Sequence, residues 1–223
     1  MSTSTLTPSK TKLHSYWRSS CSWRVRISLA YKQLPYEYVP VNLLKSEQVS
    51  SEFAALNPNC RVPTLEIDGH VLHQSGAILE YLEETHPSPA LLPKDAFARA
   101  QVRNLCGIIG CDIQPIQNLA VMKRSAANLP ESEQLAARMA WSKEWIERGF
   151  DVLERELVKT AGTYCVGDSI TLADIYLEPQ VYNANRFKVN MEKYPTIVRI
   201  VEKLAEHPAF HAAHPSQQPD ATE

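Results

Sequence analysis

The segment that determines the fold is Lys12-Leu-His-Ser-Tyr-Trp-Arg-Ser-Ser-Cys-Ser-Trp-Arg-Val-Arg-Ile-Ser-Leu-Ala30. The apolar run from Leu13 to Trp17 predicts a β-strand, and small polar residues follow that run. Apolar side chains then recur at Trp23 and Ile27, which is the spacing of one face of an α-helix. The segment therefore predicts a strand, a Ser-rich turn and a helix in direct succession.

The Ser-rich turn places hydroxyl groups, a thiol and backbone N–H groups at the start of the predicted helix. The first N–H groups of a helix have no partner within it, and that end carries partial positive charge, so it favours an anion. A phosphate and a thiolate would both suit this position. The residues alone leave open which anion binds, and whether a thiolate would belong to Cys21 or to a ligand.

Composition argues against several classes of function. The chain has 223 residues, enough for one large domain or two small ones, with an ordinary 44% of hydrophobic and 22% of charged residues. A net charge of −2 argues against nucleic-acid partners, and no apolar run approaches the roughly 20 residues of a membrane-spanning helix. Residues 1–10 lack the apolar core of a secretory signal and are predicted to form a disordered lead-in.

The five cysteines are odd in number and form no Cys-x-x-Cys pair. This pattern argues against a disulfide framework and against a zinc site, so no metal is predicted. It also fits a reducing compartment, and we expect the protein in the cytoplasm.

Residues 11–92 predict an α/β unit. A helix over residues 22–32 is followed by a second strand, Tyr36–Val41. Two alternating runs then flank Asp68-Gly69, which is a two-residue hairpin signal, and Gln74-Ser75 opens a further helix. The first two strands should pair in parallel, because a helix connects them, and the hairpin strands should pair antiparallel.

Residues 87–95 contain three prolines and predict a linker. Residues 93–223 are predicted to form an all-helical domain whose tail frays after His214. Thr171 and Asp174 have the spacing of a capping box at one helix start. The predicted helices are Ala96–Asn118, Glu131–Lys159, Thr171–Asn185 and Thr196–Glu206.

An α/β half, a proline-rich linker and an all-helical half together resemble the cytosolic glutathione transferases. The run Ser19-Ser-Cys-Ser-Trp-Arg-Val-Arg26 is similar to the signature of the zeta class of that family. The resemblance covers about residues 12–219 and implies an α/β plus all-α fold, with a thioredoxin-like N-terminal domain and a C-terminal helical bundle. The other motifs that carry it are Asn57-Pro58, Val62-Pro63-Thr64-Leu65, Gln74-Ser75, Tyr81-Leu-Glu-Glu84, Gln114-Pro-Ile-Gln-Asn118, Tyr164-Cys-Val-Gly-Asp168, Ala173-Asp174 and Asn185-Arg-Phe-Lys-Val189.

The resemblance implies a glutathione-dependent isomerase that converts maleylacetoacetate to fumarylacetoacetate in tyrosine and phenylalanine breakdown. It also implies a homodimer and a glutathione transferase activity on small α-haloacids. Two alternatives stay open. The first is a detoxifying transferase or thiol reductase that acts on another electrophile, and the second is a non-catalytic interaction module of the same fold.

The resemblance also assigns the contacts with the cofactor, glutathione. The backbone of Val62, turned outward by a cis Pro63, is expected to pair with the cysteinyl part, and the helix start at Gln74-Ser75 suits the γ-glutamyl carboxylate. Gln48 falls near the glycyl end. The remaining expected contacts are Ser19, Ser20, Cys21, Ser22, Trp23, Arg24, Gln114 and Asn118.

Ser19 is expected to lead the chemistry, with Ser20 and Cys21 beside it as candidate catalytic residues. A free thiol is mostly protonated at neutral pH, and a hydroxyl donor at a helix N-terminus favours the thiolate. In the alternative mechanism Cys21 itself is the nucleophile, as in glutaredoxin-like or omega-class enzymes. No second cysteine follows Cys21 to complete a dithiol motif.

Arginines are candidate partners for an acidic substrate, because a guanidinium binds a carboxylate through two hydrogen bonds. The resemblance places Arg186 where the class binds a substrate carboxylate, and Arg18 flanks the Ser-rich turn. Arg24 and Arg26 are further candidates for binding an anion near that turn.

Overall fold

Two units make up residues 11–222, the part of the chain that the structure, a computed structural model, describes. The first unit runs to Pro89 and resumes at Pro208, and the second spans Ala90–His207. The division at Pro89 falls within the predicted linker. The lead-in predicted for residues 1–10 lies outside the described residues.

A four-stranded mixed sheet forms the centre of the first unit. Its strands are β1 (Lys12–Ser15), β2 (Glu37–Pro40), β3 (Thr64–Ile67) and β4 (His70–His73), in the order β2-β1-β3-β4. β1 pairs in parallel with β2 and antiparallel with β3, and β3 pairs antiparallel with β4. The predicted strand pairing is therefore confirmed, although β1 ends before the predicted Trp17.

The turn between β3 and β4 has the backbone that its residues predict. Asp68 has φ 52° and Gly69 has φ 79°. Two successive residues at positive φ produce the tight turn that matches the twist of a two-residue hairpin. Glycine adopts this conformation without a steric penalty, and aspartate is one of the few other residues that tolerate it.

Between residue 11 and the linker, three α-helices accompany the sheet: α1 (Ser20–Tyr31), α2 (Ser51–Leu56) and α3 (Ser75–Thr85). α1 starts before the predicted Ser22, because Ser19 caps it. α1 and α3 pack against each other and share one buried cluster with the sheet. Its members are Leu13, Val25, Leu29, Leu65, Ile67, Ile78 and Leu82.

The second unit is helical, as predicted, with α4 (Ala96–Gly107), α5 (Leu119–Ser125), α6 (Glu131–Thr160), α7 (Leu172–Arg186) and α8 (Pro195–Ala205). The prediction of a single helix from Ala96 to Asn118 is wrong, because α4 passes into a π-helical turn at Ile108–Ile113. In this turn the N–H of Gln114 donates to the carbonyl of Ile109 at 2.9 Å. No helix among the described residues is both long and apolar enough to cross a membrane.

A glycine in α6 makes room for the π-helical turn. A Cβ atom on Gly149 would lie 2.2 Å from the side chain of Ile113, which is fully buried. The close approach of α6 to the turn therefore requires a residue without a side chain at this position.

The predicted capping box at the start of α7 is confirmed. The N–H and the hydroxyl of Thr171 both donate to Oδ2 of Asp174 at 2.8 Å, and Oδ1 of Asp174 accepts the N–H of Cys165 at 2.9 Å. Burial raises the pKa of the Asp174 carboxyl, and these hydrogen bonds oppose that effect. The carboxylate is thus used to hold backbone and side-chain donors of the second unit.

The C-terminal segment packs on the first unit, in helix α9 (Pro208–Ala213) and the residues after it. α9 contacts α1, and the side chain of Gln218 is buried. The Gln218 amide donates to the carbonyls of Ala212 at 3.0 Å and His214 at 2.9 Å. The prediction of a frayed tail after His214 is therefore wrong for the described residues, because these polar groups bond to backbone.

Candidate functional site

Ser19 is the N-cap of α1. Its backbone is extended, with φ −71° and ψ 115°, and its Oγ accepts the N–H of Ser22 at 3.2 Å. A serine hydroxyl can accept and donate hydrogen bonds at the same time. Capping therefore uses the acceptor capacity of the oxygen and leaves the O–H proton to donate to an anion.

Ser20 and Cys21 follow Ser19 in the first turn of α1. Their backbone N–H groups have no partner within the helix, because the first intrahelical bond runs from the N–H of Trp23 to the carbonyl of Ser19 at 2.8 Å. The thiol of Cys21 is partly exposed in this first turn. The side chains of Ser22 and Trp23 are buried, and their N–H groups already donate to Oγ and to the carbonyl of Ser19, so their contacts with glutathione stay predictions.

A buried hydrogen bond connects α1 to the start of α3. Nη1 of Arg24 donates to Oγ of Ser75 at 3.3 Å, and both side chains are almost fully buried. Ser75 is the first residue of α3, so the guanidinium lies beside a second helix N-terminus. The positive charge of Arg24 and the helix dipole together favour a carboxylate at this position.

Gln74, the N-cap of α3, has a strained backbone. Its φ of 67° and ψ of 116° lie in a region that residues with side chains rarely adopt, and its side chain is exposed. Such a conformation costs on the order of 1–3 kcal/mol and is concentrated at functional sites. The strain therefore supports a ligand contact at Gln74-Ser75.

The loop before β3 presents Val62. The Val62–Pro63 bond is cis, as expected. Nδ2 of Asn57 donates to the carbonyl of Arg61 at 2.8 Å and to Oγ1 of Thr64 at 2.9 Å, which fixes both ends of the loop. Within residues 11–222, no backbone–backbone hydrogen bond engages Val62. Its peptide groups are therefore available to a peptide-like ligand.

Gln48 lies in a short 3₁₀ helix, Glu47–Val49, that precedes α2. Its side chain is partly exposed, and its Oε1 is buried without a hydrogen-bond partner among the described residues. The predicted contact of Gln48 with glutathione stays a prediction.

Three predicted contacts lie in the second unit. Gln114 follows the π-helical turn and is partly exposed. Asn118 caps α5, because its Oδ1 accepts the N–H groups of Ala120 at 3.0 Å and Val121 at 3.2 Å. Arg186 is the exposed last residue of α7.

Both halves of the chain match known families. Residues 9–84 match the family described as Glutathione S-transferase, N-terminal domain, and residues 121–212 match Glutathione S-transferase, C-terminal domain. The chain belongs to the glutathione S-transferase family. The expected architecture, a thioredoxin-like unit followed by a helical one, is therefore confirmed.

Individual relatives confirm the resemblance of this glutathione transferase to the zeta class. The maleylacetoacetate isomerase of Dictyostelium discoideum is 51% identical over 218 residues, covering 97% of this chain and 98% of the relative. A solved maleylpyruvate isomerase, described as a bacterial zeta-class enzyme, is 46% identical with a TM-score of 0.89, covering 95% and 100% of the two chains. The maleylacetoacetate isomerase of Anaeromyxobacter dehalogenans, with glutathione in its active site, is 46% identical with a TM-score of 0.86, covering 96% and 98%.

Arg26 of this glutathione transferase is a structural residue, so the prediction that it binds an anion is wrong. Its fully buried guanidinium donates to the carbonyls of Ala213 at 3.1 Å, Tyr16 at 3.4 Å and Trp17 at 2.9 Å, and to Oγ of Ser15 at 3.2 Å. Burial lowers the pKa of Arg26 to about 10, which leaves it protonated at neutral pH. Its donors hold the turn that precedes α1.

Arg18 is partly buried, and its guanidinium carbon lies 5.1 Å from the centre of the Trp17 ring. A guanidinium stacked on an aromatic ring keeps its N–H edge directed to other acceptors, so Arg18 remains a candidate for an acidic substrate.

Sequence reasoning missed the role of Asn57 in shaping this site. In the sequence, Asn57-Pro58 stands only as a motif of the family resemblance, whereas in the structure Asn57 fixes the loop before β3 and also accepts the N–H of Asn59 at 2.9 Å. The signal that could have identified it is an asparagine directly before a Pro-Asn turn, because asparagine side chains often bond to the backbone of such turns.

Proposed function

We propose that this protein is a glutathione-dependent isomerase that converts maleylacetoacetate to fumarylacetoacetate in tyrosine and phenylalanine breakdown. The observation that carries the proposal is the pair of helix N-termini in the first unit, one capped by Ser19 and the other linked to α1 by the Arg24–Ser75 bond. The 51% identity to an enzyme named maleylacetoacetate isomerase supports this choice of substrate.

The donor set of the first unit fits glutathione. The N-terminus of α3 with Arg24 suits the γ-glutamyl carboxylate, and the backbone of Val62 suits the cysteinyl peptide groups. The remaining donor, the Ser19 hydroxyl, suits the sulfur. When bound, glutathione supplies the thiolate that makes the cis double bond of the substrate temporarily single.

Ser19 stabilises that thiolate by donating its O–H to the sulfur, while its oxygen still accepts the N–H of Ser22. The N–H groups of Ser20 and Cys21 add the positive end of the α1 dipole. Preorganised donors of this kind also stabilise negative charge that develops on the substrate during the reaction. The fold therefore supplies the groups that lower the pKa of a bound thiol.

Arg186 and Arg18 are proposed to bind the carboxylates of the substrate. The exposed guanidinium of Arg186 has its carbon 5.1 Å from the centre of the Phe187 ring. This stacking limits the rotamers of Arg186 and so lowers the entropic cost of holding a carboxylate. Gln114 and Asn118 remain proposed ligand contacts from the second unit.

A thiol reductase or detoxifying transferase, with Cys21 as the nucleophile, is the second candidate. The partly exposed position of the Cys21 thiol at the same helix end favours it. A non-catalytic interaction module fits less well, because the buried Arg24–Ser75 bond and the strained backbone of Gln74 would then serve no ligand.

The test measures consumption of maleylacetoacetate by absorbance, with and without glutathione. Maleylpyruvate serves as a second substrate, because a relative of known structure is named for it, and dichloroacetate tests the transferase activity on α-haloacids. We expect isomerisation only with glutathione. Glutathione-dependent turnover of another electrophile without isomerisation would favour the second candidate, and absence of glutathione binding would contradict both.

We also infer a homodimer in the cytoplasm. None of the five cysteines, all of which lie among the described residues, forms a disulfide, which supports a reducing compartment. The homodimer is the assembly that the resemblance to the glutathione transferases implies. Light scattering should give twice the mass of the chain, and a monomer would contradict this inference.

A further inference from the structure

The turn that carries Ser19 is held by a residue near the far end of the sequence. Oδ2 of Asp220 accepts the backbone N–H of Trp17 at 3.0 Å, and Oδ1 accepts the hydroxyl of Tyr38 at 2.6 Å. Trp17 and Asp220 are 203 residues apart, and both belong to the first unit. The carboxylate therefore joins the edge strand β2 to the turn before α1.

Other bonds leave this turn little freedom. The N–H of Ser19 donates to the carbonyl of Tyr16 at 2.9 Å, and Arg26 donates to the carbonyls of Tyr16 and Trp17. Arg26 thus fixes the carbonyl side of Trp17, and Asp220 fixes its N–H side. With both sides of Trp17 held, the backbone two residues later, at Ser19, is fixed as well.

The C-terminal segment that carries Asp220 is itself held in place by hydrogen bonds. Arg26 donates to the carbonyl of Ala213 at 3.1 Å. Just before Asp220, the Gln218 amide donates to the carbonyls of Ala212 and His214, which holds this segment in a compact turn. The ring of His214 also packs edge-on against Trp23 of α1, with the ring centres 5.2 Å apart. Contacts with α1 therefore determine the position of the Asp220 carboxylate.

We propose that Asp220 is a positioning residue for catalysis, which fixes Trp17 and thereby aims the Ser19 hydroxyl at the sulfur of glutathione. The proposal rests on the proposed function, in which that hydroxyl donates to the thiolate. Small errors in placement are costly in active sites, since a displacement of about 1 Å can lower a rate by on the order of 100-fold. The distant carboxylate is needed because no nearer residue supplies an acceptor for the N–H of Trp17 among the described residues.

The variant Asp220→Asn tests the proposal. Asparagine keeps the volume, but it has no charge and only one acceptor oxygen, so it cannot accept from both Trp17 and Tyr38. We expect kcat to fall about tenfold, the factor typical of losing a hydrogen bond to a charged group. We also expect the pH at which bound glutathione ionises, followed by thiolate absorbance, to rise by about one unit, since a tenfold change in that equilibrium is one pKa unit. KM for glutathione should stay nearly constant, because its carboxylate and backbone contacts are untouched.

Asp68→Asn is the matched control. Asp68 belongs to the same unit and accepts the hydroxyl of Tyr81 at 2.9 Å, but it lies in the β3–β4 turn. Asparagine also tolerates its positive φ. This variant should keep the kcat and the thiol pKa of the original protein.

Two results would overturn the proposal. One is an Asp220→Asn protein whose thiol pKa and kcat match those of the Asp68→Asn control. The other is a loss of activity in proportion to the loss of folded protein with an unchanged thiol pKa, since that would make Asp220 a purely structural residue. If the unsubstituted protein neither binds glutathione nor isomerises substrate, the proposed function fails instead, and the two failures are thus distinct.

Tyr38→Phe keeps the test decisive if Asp220→Asn does not fold. This change removes one of the two donors that orient the carboxylate and leaves the Trp17 contact in place. The thiol pKa should then shift in the same direction by a smaller amount. An unchanged thiol pKa in Tyr38→Phe would overturn the proposal in that case.

Discussion

Ser19 performs two tasks with one oxygen atom. As an acceptor it caps α1, and as a donor it is proposed to hold a thiolate. Cys21, two residues later, shares the electrostatics of the same helix end but does not cap the helix. The roles of the two residues can therefore be separated by substitution.

Replacing Ser19 by alanine should remove both tasks. We expect a stability loss of about 1 kcal/mol from the missing cap and a fall in kcat of about 100-fold or more from the missing donor. Cys21→Ala should keep most of the activity. Steady-state isomerase kinetics of the two variants check this prediction, and selective loss in the cysteine variant would reverse the assigned roles.

Ser50→Ala controls for the lost cap. Ser50 caps α2 by accepting the N–H of Phe53 at 3.2 Å, the same distance as in the Ser19 cap. Its substitution should lower the melting temperature to a similar degree without the large fall in kcat.

Arg24 and Ser75 should act as one unit in glutathione binding. Arg24→Lys keeps the charge but loses the planar fork, so we expect KM for glutathione to rise about tenfold with a smaller effect on kcat. Ser75→Ala should raise KM as well. Because the two side chains share a hydrogen bond, the rise in KM for glutathione in the double variant should be smaller than the product of the rises in the two single variants. A rise equal to that product would contradict the coupling.

Among the elements, those set by local chemistry were predictable and those set by distant contacts were not. The β3–β4 hairpin follows from Asp68-Gly69, because two adjacent residues determine its backbone. The π-helical turn does not follow from its own sequence, since it depends on the space that Gly149 leaves in α6. Arg26 was misassigned for the same reason: its acceptor on Ala213 is 187 residues away.

Gly149→Ala should destabilise the second unit. Alanine gains about 1 kcal/mol of helix propensity over glycine, but its Cβ would lie 2.2 Å from the side chain of buried Ile113. Overpacking of this kind typically costs about 1–3 kcal/mol, so we expect a net loss. Thermal unfolding checks it, with Gly107→Ala as the control, because a Cβ on Gly107 meets nothing within 4 Å. A melting temperature as high as that of Gly107→Ala would contradict the packing argument.

The stability of the whole molecule should depend on pH through Glu178 of α7. Its Oε2 is buried without a hydrogen-bond partner among the described residues, and burial raises the pKa of the carboxyl from 4.5 to about 7. The folded state thus binds this proton more tightly than the unfolded state. The resulting stabilisation is complete below the unfolded pKa and is lost as the pH rises through about 7.

Glu178→Gln should remove that pH dependence. The stability of the variant relative to the original protein should increase between pH 5 and 8 by on the order of 3 kcal/mol, from the size of the pKa shift. Chemical unfolding at several pH values checks the prediction. Taking the difference between the two proteins cancels the contribution of the partly buried His207 and His214, whose lowered pKa values act in the opposite direction. The exposed Glu202→Gln variant should show no such trend, and a similar trend there would contradict the assignment to Glu178.

The return of the C-terminal segment to the first unit affects the order in which parts of the nascent chain can fold. A ribosome synthesises β1 and α1 early, but it adds Ala213 and Asp220 only after the whole second unit. Until then Arg26 lacks the carbonyl of Ala213 and the N–H of Trp17 lacks its acceptor, so the turn before α1 stays incomplete. The helical unit, although encoded later, can therefore be finished first. A nonsense codon before Pro208 would leave a chain whose glutathione-binding half is exposed to proteases.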